Sequence, residues 1–418
     1  MMANPSRREF LLGMFAVGTA TMLAGCGQPR SNQADLEFFQ YKSEAIDLFD
    51  DICKQFNAQH PDILVKQNFQ ADNVTALRVR LVKEDMPDIV TINADYAFGD
   101  LARSGVFYDF ALTGMLDNVQ DGVAQILPSL GQGGDGQING LPLSTNGSGI
   151  IYNREIFDQY RIEPPKTWDE LIAIAEELEA AGVDPFYWGF KDNWTGAPMF
   201  SSISGGFLTE GVANWYDKRR AGEESFETLR PVFEKMSQVA KFGNKNKFEI
   251  GYNDGNQGFA QGKAAMYIHG TYAIPAIRSY NPDIQLATFA TPADREEDTK
   301  VVSGVDVALV MGTNPRHEEE SLEFLSYVMA EENMLSYCKE QVAFPTLQGT
   351  STTDEALIGL QPYFESDRIA TYSDHNFPQG INLNNYMHQF LIDGNVDRFI
   401  SVLDRQWDKV TARITETE

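Results

Sequence analysis

The sequence predicts an α/β fold. Three observations carry that prediction: short strand-like apolar runs alternate with amphipathic helical segments, and the strands release polar residues at their carboxyl ends. The chain, at 418 residues with 43% apolar side chains, is also long enough for two domains with substantial cores.

Taken in order, the elements read as follows. Residues 36–39 form a buried strand, Tyr41 and Lys42 are its exit loop, and Ser43 is expected to cap a helix whose apolar stripe is Ile46, Phe49, Cys53 and Phe56. A second strand is expected over 63–66. Pro87-Asp88-Ile89-Val90-Thr91-Ile92-Asn93 is a third, delivering Asn93 and Asp95 at the end where open α/β sheets place ligand groups. Further on, Thr167-Trp168-Asp169-Glu170 has the form of a capping box before the helix of Leu171, Ile174, Ala175 and Leu178. No short internal repeat is apparent.

The amino-terminal segment reads as targeting, not structure. Arg7 and Arg8 precede an apolar run from Phe10 to Met22 that ends in Leu23-Ala24-Gly25-Cys26. That run is shorter than the roughly 20 residues a spanning helix needs, and its charged front and small-residue end suit a cleavable export signal. Ser6-Arg7-Arg8-Glu9-Phe10-Leu11 is similar to a twin-arginine motif, which leaves that route and the general one both open. The Leu-Ala-Gly-Cys ending resembles a bacterial lipoprotein cleavage box. It implies that residues 1–25 are removed, that Cys26 carries lipid, and that 26–34 tether an extracytoplasmic protein to the cell membrane.

A net charge of −27 repels phosphate backbones, so nucleic-acid binding is not expected, and an acidic surface with isolated basic residues suits a neutral ligand. Besides Cys26 there are two cysteines. Cys53 falls on an apolar stripe and reads as a buried thiol, while its pairing with Cys338 is left open.

Several segments together resemble the family 1 extracellular solute-binding proteins of carbohydrate importers, closest to the oligosaccharide-binding branch. They include Phe39-Gln40-Tyr41-Lys42-Ser43-Glu44-Ala45, Pro87 to Asn93, and Gly140-Leu141-Pro142 with Thr145-Asn146. Ile151-Tyr152-Asn153-Arg154-Glu155-Ile156-Phe157, Gly258 to Met266, and Ser303-Gly304-Val305-Asp306-Val307-Ala308 follow in order. The resemblance implies the type II periplasmic-binding-protein fold: two α/β lobes, three chain crossings at a hinge, and ligand in the interlobe cleft. Crossings are expected near 141–146, 266–270 and 311–316. The first lobe then holds 35–141 and 270–311, and the second 146–266 and 316–418. It also implies a monomer that binds a mono- or oligosaccharide and hands it to the membrane permease subunits of an ABC importer, with no cofactor.

A pyranose has an apolar C–H face and a rim of hydroxyls, so its site needs aromatic planes and fixed polar groups; a buried hydroxyl left unpaired costs about 1–3 kcal/mol. Residues 186–195, dense in aromatic and polar side chains, read as a cleft loop with Trp194 as the stacking platform. Phe186 reads better as core, and Trp188 fits either role. Tyr41, Lys42, Asn93, Asp95, Asn146 and Asp306 are expected ligand-binding residues at first-lobe strand ends and crossings. Lys42 and Asp306 have the alternative of pairing with each other. Tyr272 stands where the family often has tryptophan. Tyr372, Asp374 and His375 form a variable loop expected to contact an outer sugar unit, although a solvated histidine is an open alternative there.

Enzymatic readings are weak by comparison. Gly131-Gln132-Gly133-Gly134-Asp135-Gly136 has dinucleotide-fingerprint spacing but no strand before it or helix after it. His317-Glu318-Glu319-Glu320-Ser321 lacks a second histidine, and the five histidines are scattered, so no metal site is expected. A carboxylate pair for an extracellular carbohydrate-active enzyme cannot be picked out without distances.

Overall fold

The computed structural model describes residues 33–207, 215–366, 368–378 and 380–415. Residues 34–418 cluster as one compact unit. Among the described residues, ten strands join in one sheet: β1 (Ala34–Gln40), β2 (Ile63–Phe69), β3 (Ile89–Ile92), β4 (Leu141–Asn153), β5 (Asp184–Phe186), β6 (Ala264–Gly270), β7 (Leu286–Phe289), β8 (Val301–Val310), β9 (Phe344–Pro345) and β10 (Ile369–Ala370). The order is β2-β1-β3-β8-β4-β6-β5, with β7 and β9 also on β4 and β10 on β8. β1 runs parallel to β2 and β3, whereas β8 is antiparallel to both β3 and β4. β8 is buried along its whole length, as its Val-Val-Ser-Gly-Val-Asp-Val-Ala-Leu-Val sequence requires of a strand covered on both faces.

The sequence-derived elements appear where expected, with β1 and β2 longer, β3 shorter and one changed cap. Helix α1 (Ile46–Gln59) buries Leu48, Phe49, Ile52, Cys53 and Phe56. Phe49 and Phe56 are fully buried, each contributing about 1.5–3 kcal/mol of transfer free energy. Ser43 does not cap this helix: residues Ser43–Ala45 form a 3-10 turn, and the Ser43 hydroxyl donates to Glu44 Oε2 at 3.2 Å. At Thr167 the capping box is complete, with the Glu170 amide donating to Thr167 Oγ1 at 3.3 Å and the Glu170 carboxylate accepting from the Thr167 amide. Cys53 and Cys338 are both buried free thiols.

Three apolar cores form. The first draws on residues 36–143 and 305–343; the second and third draw on 150–301 together with 342–407. Ile150 and Ile151 point into different cores, as do Tyr267 and Ile268, so the second lobe is a sheet covered on both faces. Packing passes between the first core and the other two along β4, between Leu143 and Ile150, on β8, between Val301 and Val305, and over residues 342–344. β6 leads into Ala273, Ile274 and Ile277, which pack in the third core, while Phe324, Leu325, Met334 and Tyr337 pack in the first.

Candidate functional site

A cavity of about 310 Å³ opens where the two lobes meet. Tyr41, Lys42 and Glu44 reach it from the carboxyl end of β1, and Asn93 from the end of β3. Asn146 and Asp306 enter from the middles of β4 and β8. Tyr272 follows β6, Tyr372, Asp374 and His375 follow β10, and Trp194 sits in the 3-10 turn Asn193–Gly196. β4 suits the task because its register against β8 slips between Pro142 and Thr145, a local irregularity that re-aims the next side chains.

The polar groups form one connected chain. Lys42 Nζ is ion-paired with Asp306 Oδ2 and lies 3.4 Å from Glu44 Oε1. Asn146 Nδ2 donates to Asp306 Oδ1 at 3.4 Å, the Tyr372 hydroxyl donates to Asn146 Oδ1 at 2.8 Å, and Ser148 Oγ lies 2.9 Å from that hydroxyl. The Tyr41 hydroxyl donates to the Asp306 carbonyl. Burial works against the charge on Lys42, yet Asp306 with Tyr337, Tyr41 and Glu44 together outweigh it and hold the ammonium well above the usual lysine pKa. Burial likewise raises the phenols of Tyr41, Tyr272 and Tyr372, which remain neutral donors. Lys42 and Asp306 therefore pair with each other while both line the cavity.

Aromatic rings form its other wall. Trp194 packs at 4.9 Å from Tyr252 and edge-on at 5.6 Å from His269, and Tyr272 meets His269 edge-on at 5.3 Å. His269 is buried, and burial pushes its imidazole down to about 3. The Gly270 amide donates to its Nδ1 at 3.2 Å. Two glycines admit these rings. A Cβ on Gly270 would stand 2.1 Å from Tyr272 Cε1, and one on Gly304 would stand 3.0 Å from Tyr372 Cδ2. Tyr372 and His375 lie face to face at 4.9 Å, tilted by 32°. Asp374 is fixed by the Ser201 hydroxyl at 2.5 Å.

Of the residues expected in the site, the structure gathers Tyr41, Lys42, Asn93, Asn146, Trp194, Tyr272, Asp306, Tyr372, Asp374 and His375 around this cavity. Asp95 faces an adjoining cavity instead, and its Oδ1 caps helix α2 (Tyr96–Arg103) by accepting from the Ala97 and Phe98 amides at 2.8 and 3.2 Å. Residues 186–195 are not a single cleft loop: Phe186, Trp188 and Phe190 stack as core, and Trp188 Nε1 donates to the Phe242 carbonyl at 2.7 Å. Glu44, Pro198 and Asn384 line the cavity without having been singled out. Only Glu44 carried a signal, its position inside the Tyr41-Lys42 segment. Cys26 lies outside the described residues. No group of three or more His, Cys, Asp or Glu among the described residues has the arrangement of a metal site.

Residues 42–335 match the family model described as bacterial extracellular solute-binding protein. The multiple sugar-binding protein of Streptococcus mutans is 29% identical over 345 residues, covering 78% of this chain and 79% of that protein. The melibiose/raffinose/stachyose-binding protein MelE of Bacillus subtilis is 21% identical over 347 residues, covering 80% and 79%. Among solved structures, RafE in complex with raffinose superposes with a TM-score of 0.79 at 23% identity, over 91% of this chain and all of that one. Apo RafE from Streptococcus pneumoniae gives 0.78 at 22% identity, over 92% of this chain and 100% of that one, so the fold is the two-lobe type II solute-binding fold with its cleft at the lobe junction. A family match across most of the chain, a shared fold and a cavity at the lobe junction agree: the chain belongs to the family of bacterial extracellular solute-binding proteins.

Proposed function

We propose that the protein captures a neutral oligosaccharide outside the cytoplasmic membrane and delivers it unchanged to the permease subunits of an ABC importer. The observation that carries this reading is the composition of the cavity. Fixed acceptors and donors at Asp306, Asn146, Lys42 and Tyr372 stand opposite the rings of Trp194, Tyr272 and His375. Such a wall meets the hydroxyl rim of a pyranose on one side and its C–H face on the other, and the polar groups enter already oriented. The sugar-binding relatives support the same class of ligand. In this reading Cys26 carries lipid and holds a monomeric protein at the membrane surface.

Calorimetry of residues 26–418 against sucrose, melibiose, raffinose, stachyose, maltotriose and xylotriose is the direct test. Saturable binding of at least one of them, with the sugar recovered intact after prolonged incubation, is expected. Turnover points to a carbohydrate-active enzyme, and no binding to any of them removes the sugar reading. Membrane fractionation of Cys26→Ser tests the anchor, since an exported variant still in the membrane fraction contradicts lipidation.

A further inference from the structure

The short turn that carries Trp194 is tied to a distant part of the chain. It opens directly after Asp192, and Asp192 Oδ2 accepts from the Tyr252 amide at 2.7 Å, across 60 residues of sequence. Tyr252 begins the helix Tyr252–Ala260, whose N-cap residue, Gly251, has no side chain with which to satisfy the first amides. Asp192 supplies that acceptor from outside the helix. We propose that Asp192 is a positioning residue for sugar binding, strapping the start of this helix to the Trp194 turn and so fixing the plane that Trp194 offers to a pyranose face. Asp192 is not among the residues that line the cavity, so its action passes through Trp194. The inference rests on the sugar reading of the cavity and adds to it the group that holds the stacking ring.

Three features support this role. The Tyr252 ring packs on Trp194 with centroids 4.9 Å apart, and both rings meet the buried His269, at 5.2 and 5.6 Å, so the strap joins the two segments whose rings support each other. The backbones around the strap approach too closely for side chains: a Cβ on Gly251 would stand 2.9 Å from Asp192 Oδ2, and one on Gly189 would stand 2.9 Å from the Gly251 carbonyl oxygen. The main chain of Asp192 also closes the turn itself, its carbonyl accepting from the Thr195 amide at 3.2 Å and from the Thr195 hydroxyl at 2.7 Å. Asp192 thus shapes the turn with its backbone and fastens it with its side chain. A ring held in this way enters the complex already oriented, whereas a ring free to tilt loses that freedom on binding, at a cost in affinity.

The test is a double-mutant cycle with Trp194→Ala, read by calorimetry with whichever of sucrose, melibiose, raffinose, stachyose, maltotriose and xylotriose binds most tightly. Asp192→Ala is expected to weaken binding roughly fivefold, the loss of one charge-assisted hydrogen bond. Asp192→Asn, whose carboxamide oxygen still accepts from the Tyr252 amide, should stay within about twofold of wild type. In the Trp194→Ala background Asp192→Ala should cost less than about twofold more, because the ring it serves is gone. A second readout needs no sugar. Four of the five tryptophans are buried and Trp194 is only partly so, and acrylamide quenching of the apo protein therefore reports chiefly on Trp194. Quenching should rise in Asp192→Ala and not in Asp192→Asn. Gly251→Ala is an independent variant for the case in which Asp192→Ala does not fold: its φ of −86° suits alanine, and the added methyl pushes Asp192 Oδ2 aside, so it should act in the same direction. Unchanged quenching and affinity in Asp192→Ala and Gly251→Ala overturn the proposal. So does an affinity loss of the same factor in both backgrounds, which marks a merely structural cap, or one that Asp192→Asn shares. Failure of the sugar reading looks different, since the wild type then binds none of the six sugars whatever the quenching shows, and the positioning role falls with it.

Discussion

Replacing Trp194 by alanine removes a ring that is only partly buried and that touches Tyr252 and His269 at the cavity wall. Aromatic anchors closed off from water commonly cost about 2 kcal/mol or more on truncation, so sugar affinity should fall roughly 30-fold with little change in apo stability, as calorimetry and thermal melts can check. Trp188→Ala is the control of opposite sign, because that indole is stacked between Phe186 and Phe190 and should lose about 3–5 kcal/mol of stability. The sequence alone did not separate these two residues, since both sit in one aromatic run; in the fold Trp194 sits in the 3-10 turn Asn193–Gly196 while Trp188 stacks between Phe186 and Phe190. Asp306 was legible as a site residue, but its buried pairing with Lys42 changes what its substitution does. Asp306→Asn leaves that ammonium, only 5% exposed, without its main counter-charge. Removing one partner of a buried pair costs about 3–5 kcal/mol, so the apo melting temperature should drop along with affinity, and Lys42→Met in the same chain should recover stability without recovering binding. His269 adds a pH dependence. The unfolded chain takes up a proton near the usual value of about 6.5, while the folded one does so only near about 3. Between those values the unfolded state binds more protons, so stability is full above 6.5 and falls on acidification through that window, by up to about 1.4 kcal/mol per pH unit. His269→Phe should flatten that limb of the stability profile; parallel profiles for variant and wild type would falsify the assignment.

At the scale of elements, the two serine and threonine caps make a matched experiment. Thr167 accepts from the Glu170 amide, and Thr167→Ala should cost about 1 kcal/mol in urea unfolding, whereas Ser43→Ala should cost nothing measurable because Ser43 meets only an exposed carboxylate. The four-residue signature at Thr167 is local, and local chemistry suffices to form the cap. The end of β1 is different, because the path into α1 is set by where β2 and the rest of the sheet lie, and a single serine before an apolar stripe does not reveal the added 3-10 turn. The same distinction holds for strands. β1 and β3 were legible from continuous apolar runs, and their carboxyl ends supplied Tyr41, Lys42 and Asn93 to the cavity. Asn384 was not legible, since it sits in the first turn of a helix whose pattern of Leu383, Met387 and Phe390 announces only its buried side.

At the scale of the molecule, the positions of the crossings decide what can move. The resemblance made three crossings expected, but their places depend on which core each segment joins, and residues 316–343 carry an ordinary amphipathic pattern that fits either lobe. In the folded chain, β4 and β8 run side by side through the junction, paired from Leu141 with Leu309 to Ser148 with Val302, and β9 adds a short pairing with Ser144 and Thr145. Bending concentrated there, near Asn146 and Gly304, carries Tyr41, Lys42, Glu44 and Asn93 relative to Trp194, Tyr272 and Asp374 without breaking either lobe's core. A ligand touching both groups favours the closed arrangement by its differential contacts. Small-angle scattering should therefore report a smaller radius of gyration at saturating sugar than without it, and the melting temperature should rise with concentration as RT ln(1 + [L]/Kd), about 2.7 kcal/mol at 100 times Kd. Placement of the hinge is checked separately. Paired spin labels at exposed residues 112 and 392, one in the segment after the first three strands and one in the helix after β10, should change separation on adding sugar. Labels at 82 and 323 instead sit on segments that both pack on the first core and should not. Movement within the second pair would place the crossing near 311–316 after all, and an unchanged first pair at saturating ligand would mean that binding proceeds without closure.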